Sequence, residues 1–318
     1  MITVVIPTIG RRSLQQVIAA LDADMPTIVV DDRPRFCPGL KVPGHVQVLR
    51  TGGRGPAAAR NAGWRAASTP WIAFLDDDVV PQPGWRDALA ADLADLPEDV
   101  AGSQGRLRVE PPPLRRPTDA ERNTAALAGA AWATADMAYR RAALERVGGF
   151  DERFPRAYRE DADLALRLLK AGYTLAEGRR ITLHPLRAQG FWSSVRAQRG
   201  NADDALMRWL HGPGWRAAVD DVPGRFSRHV VTTAAGLVAC ALLATVGRPA
   251  RTPGVRRLSA LGGAAGVAWL ALTAEFAWAR LAPGPRTPEE VLRMAVTSVI
   301  IPPAACLHRL RGELRARR

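Results

Sequence analysis

The apolar run Trp71-Ile72-Ala73-Phe74-Leu75 stops at three consecutive aspartates, Asp76-Asp77-Asp78, and this junction constrains the fold more than any other feature. A run of β-formers bounded by charge predicts a strand buried on both faces, as in a parallel sheet. Its carboxyl end then delivers acidic side chains to the sheet edge where α/β folds bind ligands. Asp76 and Asp78, two residues apart, suit a hard divalent cation that keeps positions open for phosphate oxygens. A solvated acidic turn would explain the triplet alone. The strand before it argues for a site, because uncompensated charge beside a core is costly. On a continuing extended chain Asp77 points to the opposite side.

Residues 1–105 alternate strand and helix signals. A strand over 2–6 ends at Pro7, and a helix follows over 13–21 with Ser13 as its N-cap. A strand over 27–30 ends in Asp31-Asp32. Another over 46–49 leads into Thr51-Gly52-Gly53-Arg54-Gly55-Pro56 and a helix to Ala67. This pattern predicts an α/β fold with a doubly wound, mainly parallel sheet. Residues 106–128, with Pro111-Pro112-Pro113 and Arg115-Arg116, read as a mobile connection. Beyond Ala130 come a strand, the turn Gly148-Gly149-Phe150-Asp151, a helix over 160–171, a short strand over 181–186 and helical segments to about 218.

The 318 residues accommodate one large domain, expected over 1–220, and a hydrophobic helical region over 221–318. A hydrophobic fraction of 47% excludes wholesale disorder. The net charge of +13 is almost all arginine, since Lys41 and Lys170 are the only lysines. No basic run interleaved with aromatics occurs in the first 220 residues, so nucleic acid is not an expected partner. Phosphate-bearing ligands and an anionic membrane surface fit the charge. Cys37, Cys240 and Cys306 form neither a metal motif nor a disulfide framework, which fits a reducing compartment. The chain opens directly on a strand, so the N-terminal domain is expected in the cytoplasm.

Four pieces carry candidate chemistry. Gly53-x-Gly55-x-x-Ala58 matches a dinucleotide fingerprint, but it follows the third strand and leads into Pro56 at a helix start, so the match is weak. Those glycines would let the helix N-terminus approach a diphosphate or a base, with Arg54 and Arg60 available to neutralise charge. Asp31-Asp32 share a sheet edge with the aspartate triplet, where a carboxylate accepts from a base N–H or ribose hydroxyls. Glu160-Asp161-x-Asp163 opens a helix, which the helix dipole alone would favour; a carboxylate there also suits a general base if its pKa is raised. His184, after a late strand, adds a metal-ligand candidate.

Together these pieces resemble a known family. The ordered set Val4-Val5-Ile6-Pro7-Thr8, Val30-Asp31-Asp32, Ala59-Arg60-Asn61-x-Gly63, Phe74-Leu75-Asp76-Asp77-Asp78, Gly148-Gly149-Phe150-Asp151-Glu152 and Glu160-Asp161-x-Asp163-Leu164 looks like a family 2 glycosyltransferase over residues 1 to about 210. The resemblance implies a GT-A fold, an inverting mechanism, a nucleotide-sugar donor and a Mg²⁺ or Mn²⁺ ion. Carried over by motif, Asp31 or Asp32 would hold the nucleoside; Pro7, Thr8, Arg54, Arg60, Asn61, Asp76 and Asp77 complete the candidates for donor binding. Asp76 and Asp78 would form the metal-binding pair, with Asp78 the direct ligand, and Asp161 would be the base; His184 is a further metal-ligand candidate and Glu160 a further catalytic one. Of the Gln-x-x-Arg-Trp signature of processive relatives only Arg208-Trp209 is present, which favours single transfer over polymerisation. A nucleotidyltransferase would share the sheet edge, but the loop Pro7-Thr8-Ile9-Gly10-Arg11-Arg12 lacks the lysine such enzymes usually carry. A non-catalytic nucleotide-sugar-binding scaffold is the alternative outside enzymes.

The tail carries three apolar stretches, 230–246, 258–282 and 291–307, the last broken by Arg293 and Pro302-Pro303. A span needs roughly 20 apolar residues for about 30 Å of hydrocarbon. Arg248, Arg251, Arg256 and Arg257 separate the first two stretches, and five arginines follow Leu307. If all three span, this basic loop and the basic C-terminus both fall opposite a cytoplasmic catalytic domain, against the positive-inside tendency. Membrane association at the cytoplasmic face is expected, with the number of spans open. The segments either lie in the interface or re-enter, which keeps every arginine on the cytoplasmic side, or they span against the charge rule. A soluble helical appendage or a dimer interface is the alternative. A lipid-linked or cell-envelope glycan acceptor follows from the membrane placement.

Overall fold

The computed structural model describes residues 1–222, 224–245 and 253–317. Val246, Arg248, Arg251 and Arg318 lie outside them. The chain forms two compact units. The first comprises Met1–Glu110, Thr124–Leu186 and His211–Asp221; the second comprises Pro111–Asn123, Arg187–Leu210 and Val222–Arg318.

The first unit is an α/β layer structure. In chain order it contains β1 (Ile2–Thr8), α1 (Leu14–Ala19), β2 (Thr27–Asp31), β3 (Gln47–Arg50), α2 (Pro56–Ala66), β4 (Trp71–Leu75), β5 (Val80–Pro81), α3 (Trp85–Ala94) and β6 (Val100–Arg108). After α4 (Asp119–Ala125), whose first residues belong to the second unit, come β7 (Asp136–Arg140), α5 (Arg141–Val147), α6 (Glu160–Lys170) and β8 (Thr174–Leu183). One sheet orders the strands β3-β2-β1-β4-β7-β6-β8-β5. The β3-β2-β1-β4 half is parallel, β7 runs antiparallel to both neighbours, and β8 is parallel to β6.

The alternation of side chains along each strand builds a core on both faces. Val4, Ile6, Val29, Ala73 and Leu75 pack with Leu14 and Val17 of α1 and with Trp85 and Leu89 of α3. Val5, Ile28, Val30, Ile72 and Phe74 point the other way, onto Ala59 and Trp64 of α2, Leu144 of α5 and Leu164 and Leu168 of α6. Two-sided burial is why β4 reads as an uninterrupted apolar run.

Several elements differ from expectation. β1 continues through Pro7 to Thr8; its pairing with β4 ends at Val5, so the missing N–H of Pro7 costs no bond on that side. Ser13 has helical angles and makes no side-chain cap. β6 and α5 carry weak sequence signals. At Gly102 of β6 a Cβ would stand 2.5 Å from the Ala138 carbonyl, so glycine admits the close pairing with β7. The expected connection over 106–128 is in part β6, which runs to Arg108, and in part α4. β8 begins at Thr174, with its charged residues mostly exposed between buried Gly178, Arg180 and Thr182.

The Gly148-Gly149 turn closes α5 with both glycines at positive φ, 78° and 77°. A Cβ on Gly149 would lie 2.5 Å from Asn61 Oδ1 and 2.7 Å from Trp64 Nε1. Asn61 there donates to the Phe150 carbonyl (2.8 Å) and to Glu152 (3.0 Å), and accepts from Phe150 N and Trp64 Nε1 (both 2.9 Å).

The second unit contains α7 (Ser193–Ala197), most of α8 (Gly200–His211), α9 (Phe226–Thr245), α10 (Pro253–Leu281) and α11 (Pro288–Ala316). The last three are long and apolar enough to cross a membrane. α9 and α10 form a hairpin in which Gly236 faces Trp269 and Gly262 faces Leu242 at distances that leave no room for a side chain. Glu275, the one acid in that apolar stretch, pairs with Arg225 (2.6 Å) and Arg228 (3.2 Å). Pro302 and Pro303 do not break α11, which continues through them. Each forfeits a backbone hydrogen bond; burial of Ile301, Pro302 and Ala305 offsets that loss.

Gly149→Ala should destabilise the first unit by about 2–4 kcal/mol, from left-handed strain plus overpacking on Asn61. Urea unfolding of the variant against the parent measures it.

Candidate active site

The carboxyl ends of β1, β2 and β4 lie side by side, with Thr8 opposite Asp31 in register and Asp76 one residue past β4. A cleft of about 250 Å³ opens there, walled by Thr8, Arg11, Asp32, Arg60, Asp76 and Asp77 among others. A larger groove of about 460 Å³ among α9, α10 and α11 carries no carboxylate or histidine. Chemistry therefore points to the smaller one.

Arg60 organises the cleft. Its side chain, 2% exposed, donates to Glu160 Oε1 (2.6 Å) and to Asp76 Oδ1 (2.8 Å). Burial works against the cation, but Asp76 and Glu160 more than offset it and hold the guanidinium above its ordinary range. Burial pushes the Glu160 carboxyl up, opposed by Arg60. Burial also raises Asp161, opposed by its bond from Ala162 N (2.7 Å) and by Arg60. The two acids are next to one another, so they titrate as a pair. Arg159 sets their direction: it enters α6 at φ 77°, a conformation that costs a non-glycine residue energy. Stacking of its guanidinium on Tyr158 (4.5 Å) and Trp215 (4.8 Å) and a pair with Asp221 (3.1 Å) hold it there. Asp163 faces away, bonded to His211 Nε2 (2.8 Å) and accepting from Arg167 Nε (2.9 Å).

The aspartate triplet does not continue as a strand. The chain turns at Asp77-Asp78, so the expectation that Asp77 points to the opposite side fails. Asp77, 2% exposed, accepts from Thr8 Oγ1 (2.5 Å) and Arg11 Nη1 (2.7 Å). Arg11 also reaches Asp78 (3.1 Å). Burial opposes the Arg11 charge, and Asp77 and Asp78 raise its pKa nonetheless. His184 Nε2 stands 3.9 Å from Asp78 Oδ1, while its Nδ1 faces the Pro185 carbonyl at 3.2 Å. A carbonyl only accepts, so Nδ1 donates in that contact and Nε2 is the ring nitrogen turned toward the carboxylate. No group of three or more metal-ligating side chains is assembled among the described residues.

The other expected residues have internal partners. Asp31 accepts from Arg33 (2.8 Å), which with Arg50 holds its carboxyl below the usual range. Asp32 Oδ1 accepts from Thr51 Oγ1 (2.6 Å), Gly53 N (3.1 Å) and Arg54 N (2.8 Å), and its Oδ2 accepts from Gly55 N (2.8 Å). The glycine-rich loop thus folds around the chain's own carboxylate, which excludes the dinucleotide reading of that segment. Arg54 pairs with Glu152. Asn61 lies behind the cleft with its amide fully engaged, as described above. Pro7 lines the wall. Sequence reasoning missed Arg11 and Glu152 as participants, although Arg11 follows the first strand end and Glu152 closes the Gly148-Gly149-Phe150-Asp151-Glu152 motif.

Residues 3–163 match the sequence profile described as Glycosyl transferase family 2. The chain belongs to this family. Among curated proteins, the pre-mycofactocin glycosyltransferase of two Mycobacterium tuberculosis strains is 34% identical over 194 residues, covering 55% of this chain. The chain spans only 40% of the length of those relatives. Among solved structures, the mannosyltransferase PcManGT from Pyrobaculum calidifontis in complex with GDP-Man and Mn²⁺ aligns over 98% of this chain and 86% of its own, with 17% identity and a TM-score of 0.48. Glucosyl-3-phosphoglycerate synthase from Mycobacterium tuberculosis with Mg²⁺ and UDP aligns over 64% of this chain and 77% of its own, with 14% identity and a TM-score of 0.44. Of the six segments that carried the resemblance, four contribute residues to the wall of this cleft: Pro7 and Thr8, Asp32, Ala59 and Arg60, and Asp76 and Asp77.

Arg60→Met leaves Asp76 and Glu160 without their cation and should cost about 3–5 kcal/mol. Glu160→Gln keeps an acceptor for Arg60 and should cost less. Denaturant midpoints of the two variants test the order.

Proposed function

We propose that this family 2 chain moves one sugar from a nucleotide-sugar donor to a hydroxyl of a lipid-linked or cell-envelope acceptor, with inversion at the anomeric carbon. The observation that carries the reading is the Arg60 bridge. One guanidinium joins the strand-end carboxylate Asp76 to the helix that begins with Glu160-Asp161. It holds a phosphate-facing edge and a candidate base in one fixed frame.

In this reading the donor lies in the cleft with its nucleoside along Pro7, Thr8 and Asp32 and its diphosphate toward Asp76, Asp77, Arg11 and Arg60. Asp161 takes the proton of the acceptor hydroxyl as that oxygen bonds to the anomeric carbon. The bond from that carbon to the diphosphate oxygen breaks, and the nucleoside diphosphate leaves with the electron pair. Arginine side chains fixed before the reaction offset the charge on the departing oxygen. Glu160 keeps Arg60 in place rather than touching the acceptor.

Asp76, Asp78 and His184 would hold a Mg²⁺ or Mn²⁺ ion, a reading supported by the approach of His184 Nε2 to Asp78 Oδ1 at 3.9 Å. The ion would supply positive charge at the leaving diphosphate. Arg60 engages Asp76 through Oδ1 and Arg11 engages Asp78 through Oδ2, which places both cations beside the carboxylates that would hold the ion. The apolar helices and the arginine-rich tail support a membrane-bound enzyme acting at the cytoplasmic face, close to a lipid acceptor. The departure from the processive signature at Ala205-Leu206-Met207-Arg208-Trp209 supports single transfer.

Asp161→Asn should lower transfer by at least about 100-fold while nucleotide affinity by calorimetry stays within a few-fold. Unchanged turnover would sink the assignment of the base. A base must be ionised, and burial raises this one, so activity should fall as pH drops through a value above the ordinary aspartate range near 4. A rate profile against pH reads that acid limb, and its absence in the Asp161→Asn residual activity would support the assignment. A panel of nucleotide sugars with Mn²⁺ identifies the donor. His184→Ala should raise the Mn²⁺ concentration needed for half-maximal rate.

A further inference from the structure

Helix α11 meets the length and hydropathy requirement of a membrane span, yet its neighbours in the second unit contradict one. Near its start Arg293 donates to the Gln189 carbonyl (3.3 Å), and its guanidinium lies 5.8 Å from the Phe191 ring centre. Near its end Gly312 packs on α8 so closely that a Cβ would stand 2.6 Å from Ala202 and 2.9 Å from Ala205. The helix between 293 and 312 rises about 29 Å, comparable with the hydrocarbon core of a bilayer. The segment 189–205 therefore runs beside α11 for that whole distance. If α11 crossed the membrane, the segment would cross with it, taking Arg196, Arg199, Asp203 and Asp204 through hydrocarbon.

The burial pattern of α11 agrees. Glu290, Met294, Thr297, Ile301, Ala305 and Gly312 form one buried stripe along the helix. Beneath that stripe, Arg280 donates to Asp119 (2.7 Å), Thr297 (2.8 Å) and Ser298 (3.0 Å), and Glu290 accepts from Asp119 N (2.9 Å). The opposite face is apolar and bare: Leu292, Val299, Leu307, Leu310 and Leu314 are all exposed. Exposed Arg311 and Arg315 stand near its end.

We propose that α11 lies in the plane of an anionic membrane surface, its bare leucine and valine face among the acyl chains and Arg311 and Arg315 against lipid phosphates. The occupant of that face is lipid because the chain passes into α11 from the apolar hairpin of α9 and α10, six residues after α10 ends. The C-terminal arginines then stay on the side from which the chain enters α9. The placement rests on the membrane association proposed above.

The test uses the full chain with Cys37, Cys240 and Cys306 replaced by serine, in vesicles of phosphatidylglycerol and phosphatidylcholine. Nitroxides go onto Leu292→Cys, Val299→Cys, Leu307→Cys and Leu314→Cys one at a time, and collision with oxygen against a water-soluble nickel reagent gives depth. An in-plane helix gives four similar shallow depths, about 5–10 Å below the headgroups. A maximum at 299 and 307 with shallow ends overturns the proposal. Nitroxides shielded from both reagents would mean that a second copy covers the face, which also overturns it. An impermeant maleimide should reach Arg315→Cys and Arg196→Cys from the same side of the membrane, and opposite sides refute an in-plane helix. Failure to sediment with vesicles would refute membrane association itself, a result distinct from a spanning depth profile in a sedimenting protein.

Discussion

A buried guanidinium that cannot release its proton dictates much of the first unit. Arg60 remains charged at any working pH, so a position with almost no solvent demands carboxylates within hydrogen-bond reach. Asp76 meets that demand from the end of β4 and Glu160 from the first turn of α6. The bond thereby joins two elements far apart in sequence. Its neighbour Asn61 acts differently, fastening the turn over 148–152 to α2 with all of its amide hydrogen-bonding capacity. Adjacent residues on one helix thus orient the acidic pair and lock the chain that leads to it.

The parallel half of the sheet was legible from residues 1–80 because two-sided burial writes long apolar runs, and β4 with its aspartates is the clearest case. The antiparallel half was legible only in part: the strand expected beyond Ala130 is β7, and the one expected over 181–186 overlaps only the end of β8. β6 carries two glycines and two arginines, and β8 alternates charge with small residues, so neither has the composition of a strand. Their pairing is stabilised by contacts remote in sequence, including Arg180 buried against Asp136 (2.7 Å) and Asp92 (3.1 Å). In the cleft, acidic positions were visible because strand ends are predictable. Their partners were not: which arginine reaches which carboxylate depends on loop paths such as the turn at Gly10, where φ is 80°. The rotation of Asp77 into the wall also escaped a pattern that assumed an extended chain.

Hydropathy alone treats α9, α10 and α11 alike, because it counts residues without asking what lies on each side of the helix. α9 and α10 bury small residues against one another and keep large apolar side chains outward. α11 instead has a polar protein surface along one flank, packs on α9 through Cys306 and Arg309 along another, and leaves a third face exposed. The prolines inside it are consistent with this division. Pro302 is buried and Pro303 exposed, so the helix is held by its covered flank rather than by an unbroken ladder of backbone bonds.

The loop over 51–55 shows a site that has become its own ligand. Its converging N–H groups form a concavity of the sort that elsewhere captures an external anion, and here Asp32 fills it permanently. In the function proposed above, phosphate recognition in this cleft falls to arginine side chains instead of to main-chain dipoles. A pocket held by exposed charge weakens with ionic strength more than a backbone cradle does.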